Sequence, residues 1–332
     1  MRGNNKRILT IFISTILIVA AGAFIFYKGV YARVYNQSNM VQNTAIGSNV
    51  QDLTLEQIVT DMVSFPDRFA GTKGNVEAGQ YIRNYIKAAG LQPYTDGEAG
   101  YYHSFHGTWL KNSNYYHISV NGTVENVAGK IPGADSSKAV VLSAHFDSYM
   151  SKGVLDNATG VGVLLELSSR LAERYPSGTY PVDIIFVSFN AEECGLQGSR
   201  PFYEDISRRY DEFYNINMDV VGALDKPLAF NNLDANSAAL YGDFLPILME
   251  HDIPVDQEAI YAADIYNNPY GRSDHVAFQE NGRPAIILGE SKLQGYTNTP
   301  ADSDMAAIDF PELARLTDAI EQFIISSNGK IY

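Results

Sequence analysis

Two periodicities organise the polar and apolar positions of this chain. Leu53 to Val63 carries apolar residues at helical spacing, with Asp52 or Thr54 placed to cap the start and Pro66 to end it. Asn75 to Ala89 predicts a second helix, stopped by Gly90. Tyr115 to Val120 and Val124 to Lys130 predict strands around an Asn121-Gly122 turn. Four short apolar runs rich in Val and Ile follow: Ala139 to Ala144, Val182 to Phe189, Tyr214 to Met218, and Pro284 to Leu288. Runs of this kind mark strands covered on both faces. Helical patterns separate several of them, over Asn157 to Arg174, Gly198 to Glu204 and Asn236 to His251, and a last helix is predicted over Phe310 to Ser327. Strands alternating with helices imply an α/β fold of three layers, a mostly parallel mixed central sheet with helices on both faces.

The first 33 residues follow neither pattern. Arg2, Lys6 and Arg7 precede an uncharged run from Ile8 to Tyr27, and Lys28 and Arg33 follow it. Twenty helical residues rise about 30 Å, the thickness of a bilayer's hydrocarbon core. The expectation is a single-pass signal anchor over residues 1–33, with the N-terminus in the cytoplasm because the basic flank is heavier on that side. The alternative is a secreted protein cleaved near Ala21-Gly22-Ala23, whose small residues suit a signal peptidase. Residues 34–51, rich in Asn, Gln and Ser, predict a polar stalk, which leaves residues 52–332 as one extracytoplasmic domain.

Charge narrows the class of partner. Five of the 24 basic residues and none of the 38 acidic ones precede Asp52, so the remainder is 19 charges negative. This argues against a nucleic-acid partner, which needs a basic face. The single cysteine, Cys194, rules out an intrachain disulfide. Its context, Glu192-Glu193-Cys194-Gly195, points to metal chemistry rather than to a thiol nucleophile.

Polar residues gather where the predicted strands end. The first strand runs into His145-Phe146-Asp147, the second into Asn190-Ala191-Glu192-Glu193, and the third into Asp219, while Asp156 opens the helix after the first strand. Ligands of open α/β sheets bind at the carboxyl ends of the strands. Four segments would therefore deliver His145, Asp156, Glu193 and Asp219 to one edge, a donor set suited to zinc. Asp156 alone reads equally well as a helix cap. Asp147, two residues beyond His145 on an extended segment, can approach the imidazole and fix its tautomer. Of the adjacent Glu192 and Glu193, one can bind metal while the other takes a proton from an activated water.

These residues resemble the co-catalytic di-zinc aminopeptidases of metallopeptidase family M28. The resemblance rests on Ser-Ala-His-Phe-Asp-Ser at 143–148, Leu-Asp-Asn-Ala-Thr-Gly at 155–160, Asn-Ala-Glu-Glu-Cys-Gly-Leu-Gln-Gly-Ser at 190–199 and Asn-Met-Asp at 217–219. Arg68-Phe69-Ala70-Gly71-Thr72, Asn126 to Gly133 and Arg272-Ser273-Asp274-His275 extend it, so that it covers roughly Leu53 to Ile325. It implies a zinc-exopeptidase-like fold and removal of N-terminal residues from peptides by metal-activated water. His145 and Asp219 would bind one zinc, Asp156 would bridge two, Glu193 would bind the second, and Glu192 would be the general base. Asp274 and His275 would border the substrate pocket, His275 in a supporting role rather than as a ligand. Tyr261, Tyr266 and Tyr270 precede that segment, Tyr270 being the nearest to it, and are pocket candidates or ordinary loop packing.

One position departs from the family. Its second zinc usually takes a His in a His-Thr-Pro-like stretch before a final Asp, and here the stretch reads Asn298-Thr299-Pro300-Ala301-Asp302. An amide oxygen is a weak donor to zinc. Three outcomes stay open: a weakly held second metal, an enzyme running on one zinc, or an impaired relative that binds peptides without cutting them. A single-zinc transferase resembling the glutaminyl cyclases is a further reading, although those are expected to keep the His. His103, His106 and His117 are candidates to replace the missing ligand, but nothing in the pattern puts them at a strand's carboxyl end.

Overall fold

Side-chain caps set where the first helices begin. Thr54 accepts the Gln57 N–H at 3.2 Å while the Gln57 side chain accepts the Thr54 N–H at 2.8 Å, a reciprocal box that starts α1 (Leu55–Ser64). Thr72 accepts the Asn75 N–H and starts α2 (Lys73–Ala88) two residues ahead of the predicted helix. A computed structural model describes residues 50–110, 119–262, 272–293 and 295–332. The expected anchor, most of the stalk, His117, Tyr266 and Tyr270 lie outside them. Among the described residues no helix is long and apolar enough to cross a membrane.

The strands are β1 (Gln92–Pro93), β2 (Tyr102–Leu110), β3 (Ser119–Ile131), β4 (Asp135–His145), β5 (Val182–Phe189), β6 (Glu212–Met218), a short pair β7 (Leu228–Ala229) and β8 (Val255–Asp256), and β9 (Ala285–Leu288). The main sheet runs β1-β3-β5-β4-β6-β9, with β2 also on β3. β5, β4, β6 and β9 are parallel, and β1, β2 and β3 are antiparallel. The four apolar runs thus form the parallel centre, where every residue of β5 is buried.

The remaining helices are α3 (Thr159–Arg174), α4 (Ser199–Ile206), α5 (Ala238–Glu250), α6 (Val276–Gln279) and α7 (Phe310–Ser327). On one face of the sheet, Ala139, Val141, Ile185, Val187 and Phe213 pack with Phe202 and Ile206 of α4 and Phe278 of α6. Gly79 and Ile86 of α2 approach Val127 and Gly129 on the opposite face, and α3 packs between the sheet, α1 and α7. The architecture is the expected mixed three-layer sandwich.

The Asn121-Gly122 hairpin does not form. β3 runs straight through it, with Asn121 opposite Thr108 and Gly122 opposite Gly107 of β2. Gly122 has no positive φ, so the left-handed conformation that an Asn-Gly turn needs is not adopted. The local turn preference yields to a ladder of nine residue pairs with β2, a strand the apolar pattern did not mark.

Candidate metal centre

Each chemical residue occupies a strand end or the turn beside it. β4 ends at His145, β6 hands on to Asp219, and β5 hands on to Asn190-Ala191-Glu192-Glu193. Asp156 lies in a wide turn, Val154–Ala158, that precedes α3, and its peptide bond to Asn157 is cis. The helix predicted from Asn157 therefore begins at Thr159. The cap is made by the neighbour of Asp156: Asn157 Oδ1 accepts the Gly160 N–H at 3.1 Å. Gly160 must be bare, since a Cβ there would lie 2.2 Å from that oxygen. With capping left to Asn157, the Asp156 carboxylate is available to the site.

His145 Nε2 lies 3.1 Å from Asp156 Oδ1 and 3.1 Å from Asp219 Oδ1. One donor atom from each of the three residues lies within 4.8 Å of the others, and all three residues are buried. Burial pushes Asp156 up to about 6, with Asp219 adding to the rise and His145 opposing it. Burial acts to raise Asp219 as well, but His145 and hydrogen bonds from Ser273 and Tyr261 hold it below its usual range. Burial likewise penalises a charged His145, and Asp219 with its other carboxylate partners drives it well above its usual value. Two carboxylates converging on one imidazole nitrogen in a buried site fit a divalent cation of borderline softness.

The remaining His145 nitrogen, Nδ1, is 3.2 Å from the Asp147 backbone carbonyl and 3.4 Å from its carboxylate. The carboxylate has a second task, accepting the backbone N–H groups of Glu192 and Glu193 at 3.1 and 3.2 Å. Asp147 thus joins the imidazole to the loop that carries both glutamates. Burial, ahead of the surrounding charges, pushes Glu192 and Glu193 well above the usual carboxylate range. Glu193 Oε1 and Asn298 Oδ1 are buried without a hydrogen-bond partner among the described residues. An unpartnered carboxylate oxygen suits a further cation, whereas a neutral amide oxygen is a poor substitute for a zinc-binding histidine.

Two supports escaped the sequence reading. Arg68, 1% exposed, donates to the carbonyls of Phe146 at 2.9 Å, Met62 at 3.1 Å, Lys152 at 2.6 Å and Gly153 at 2.9 Å. It ties the segment holding His145 and Asp147 to the segment entering Asp156. A Cβ on Gly153 would lie 2.8 Å from Arg68 Nη2, so this approach needs glycine there. Asp302 accepts the N–H groups of Leu155 at 2.8 Å and Asp156 at 3.1 Å and so fixes the backbone at Asp156. Both residues stood inside motifs read from the chain, but all their partners named here except Met62 lie 78 to 147 positions away.

The pocket candidates divide. Asp274 is fully buried, and burial pushes it up to about 7. Burial lowers His275 to about 4, which leaves its imidazole neutral, and His275 stands outside the three-residue ligand group. It lines a cavity of about 220 Å³ with Asn231, Asp234, Tyr241 and Tyr261. Tyr261 also walls a second cavity, of about 250 Å³, with Val220, Leu293 and Thr297. His103 lies 3.1 Å from Asn126 Nδ2 and His106 is exposed on β2, so neither belongs to the ligand group. Cys194 packs on the apolar cluster of Ala70, Phe105, Val124 and Ala191.

The His–Asp–Asp cluster on the carboxyl edge of this sandwich could hold a metal ion. The chain belongs to peptidase family M28, whose model matches residues 126–324. The family's members are zinc metallopeptidases. The chain is 30% identical over 196 residues to aminopeptidase YwaD of Bacillus subtilis, covering 55% of this chain and 40% of that protein. It is 27% identical over 207 residues to a probable zinc metalloprotease of Pyrenophora tritici-repentis, covering 51% and 42%. It thus spans less than half the length of these relatives. A leucine aminopeptidase precursor from Bacteroides thetaiotaomicron superposes with a TM-score of 0.63 at 17% identity, over 85% of this chain and 98% of the other. A glutaminyl cyclase from the same organism superposes with a TM-score of 0.64 at 17% identity, over 84% and 98%. At that identity the two structures speak for the fold alone.

Proposed function

We propose that this chain is a zinc-dependent aminopeptidase acting on peptides outside the cytoplasm, tethered to the cell membrane by its N-terminal apolar run. The observation that carries the reading is the convergence of His145, Asp156 and Asp219 beside a Glu192 whose backbone is held by Asp147. His145, Asp156 and Asp219 would hold the zinc, which supplies Lewis acidity and makes a water molecule acidic enough to lose a proton near neutral pH. Glu192 takes that proton and passes it to the departing amine. The length of the run from Ile8 to Tyr27 and its basic flanks support the anchor.

The test is turnover of a panel of aminoacyl chromogenic substrates by the zinc-loaded chain and by Glu192→Gln. Loss of the base should lower kcat by about 10²- to 10⁴-fold. Equal turnover by the two proteins would sink the mechanism. A second reading is a single-zinc transferase, since the fold of this chain is also that of a glutaminyl cyclase. Peptides beginning with Gln separate the two, since a transferase releases ammonia and leaves a cyclised N-terminus, whereas an aminopeptidase releases free glutamine.

A further inference from the structure

Three buried asparagines meet at the turn that carries Glu192: Asn75 of α2, Asn126 of β3, and Asn190 just past the end of β5. Asn75 and Asn190 form a reciprocal pair, each Nδ2 donating to the other's Oδ1 at 3.0 Å. Asn190 Oδ1 also accepts the Ala191 N–H at 2.9 Å, and its Nδ2 donates to the Glu125 carbonyl at 3.1 Å. Asn75 Nδ2 donates to the Arg68 carbonyl at 2.9 Å, and its Oδ1 accepts the Gly71 N–H at 3.2 Å. Asn126 Oδ1 accepts the Asn190 N–H at 2.8 Å, and its Nδ2 donates to the Gly198 carbonyl at 2.9 Å. Turning any one of these amides over would set oxygen against a carbonyl and N–H₂ against an N–H, so the backbone leaves a single arrangement.

We infer that this cluster holds Ala191 in the left-handed conformation and thereby sets the position of Glu192, which makes Asn75, Asn126 and Asn190 positioning residues for the reaction. This rests on the aminopeptidase reading, in which Glu192 is the base. Ala191 has φ +60°, a conformation that its Cβ disfavours and that glycine would take freely. A non-glycine residue keeps it only where the surrounding bonds impose it. Among the residues whose backbone the three amides hold, Ala191 alone is a non-glycine residue with positive φ, and it is the one joined to Glu192.

The bonds bracket Ala191 from both sides. Before it, Asn190 is tied by its own N–H to Asn126 and by its amide to Asn75 and Glu125. After it, Asp147 accepts the N–H groups of Glu192 at 3.1 Å and Glu193 at 3.2 Å, and the Gln197 N–H donates to the Ala191 carbonyl at 3.0 Å. The Asp147 carboxylate also lies 3.4 Å from His145 Nδ1, so the turn is referred to a candidate metal ligand through one side chain. If Ala191 relaxed to the common helical φ of about −60°, the chain would change direction immediately before Glu192. The two Asp147 bonds could not then both be kept.

A compensating pair of substitutions in the zinc-loaded full chain tests this. Asn190→Ala should lower kcat by about 10- to 100-fold, the loss expected when a reacting group is displaced by about 1 Å. KM should stay within about threefold, because the change falls on the reacting step and not on binding. Zinc affinity, read by chelator competition, should also stay within about threefold, because His145, Asp156 and Asp219 stand on other segments. Adding Ala191→Gly should bring kcat back to within about threefold of wild type, since glycine takes φ +60° without steric cost and the Asp147 bonds then suffice. Asn75→Asp keeps the acceptor of the reciprocal pair and loses only its donors. Should Asn190→Ala not fold, this milder variant carries the same test, with a smaller loss of kcat that the same glycine regains. Unchanged kcat, or a loss that Ala191→Gly does not regain, makes the cluster a support of the fold alone and overturns the assignment while leaving the aminopeptidase standing. A wild-type protein that cleaves no peptide overturns both.

Discussion

Oδ1 of Asp147 accepts the backbone N–H of Glu192 at 3.1 Å, and its second oxygen holds the N–H of Glu193 at 3.2 Å. The same residue holds the His145 ring through its carbonyl oxygen. One residue therefore both orients the ring of a candidate metal ligand, through its carbonyl and a carboxylate 3.4 Å away, and positions the proposed base. Asp147→Asn keeps the size but replaces one acceptor oxygen with an amide N–H₂, which would face a backbone N–H donor. The glutamate loop must then move. Zinc affinity and kcat should each fall by about 10- to 100-fold, measured by chelator competition and steady-state kinetics. Wild-type values for both would show that Asp147 is dispensable.

Arg68 offers a sharper test of stability. Its guanidinium serves four backbone carbonyls from three segments, and burial pulls its pKa down to about 10. Asp302 and Asp147 are the charges that most favour its cationic form. Arg68→Met would leave those carbonyls without their donor and the carboxylates without their cation. The expected loss is about 3 kcal/mol or more, in the range found when one partner of a buried charged network is removed. Urea denaturation with zinc held constant reads it directly, and a loss below about 1 kcal/mol would contradict the clamp.

The parallel strands and the ligands at their ends were legible in the chain for one reason. Strands buried on both faces are mostly apolar, so the polar residues that follow each run mark the sheet edge where His145, Glu192 and Asp219 stand. The ambiguity over Asp156 was resolved only in three dimensions, by finding Asn157 in the capping role. The Asn121-Gly122 turn was misread because a strong local signal competed with a pairing partner, β2, that carries no clear alternation. Arg68 and Asp302 show no periodic pattern, since their work is to bind backbone groups distant in sequence. Such roles follow from tertiary geometry alone.

Glu290 predicts a pH dependence. It is 3% exposed and accepts the N–H groups of Gly222 at 2.6 Å and Ala223 at 2.7 Å, in the loop that follows Asp219. Burial, with Glu312 and Asp309 adding their charge, drives its pKa well above the usual carboxylate range against the pull of those two bonds. Between the ordinary and the raised value the folded protein holds a proton that the unfolded chain has released. Stability contributed by Glu290 is therefore present at low pH and lost as pH rises through that window. Glu290→Gln carries no such proton and weakens one of the two bonds. The variant should be less stable than wild type near pH 5, and the gap should narrow towards pH 8. Urea midpoints across that range check the slope, and a gap independent of pH would contradict it.

Removing the metal should destabilise the fold through the same three residues that would bind it. Without a cation, Asp156 and Asp219 face each other across His145 Nε2 at 3.1 Å, inside a largely buried site. A divalent ion bound only by the folded state adds RT ln(1 + [L]/Kd), about 4 kcal/mol when free zinc is a thousandfold above its dissociation constant. For a domain of this size that corresponds to a rise in Tm of roughly 8 °C or more. Stripping the protein with a chelator should lower Tm by that amount, and adding zinc back should restore it. Asp219→Asn removes one of the two carboxylates that oppose each other and one of the three ligands. Its metal-free form should match or exceed the wild-type metal-free Tm, yet zinc should raise it by no more than a couple of degrees. A full zinc response in Asp219→Asn would mean that the stabilising ion binds elsewhere, and the ligand set would have to be redrawn.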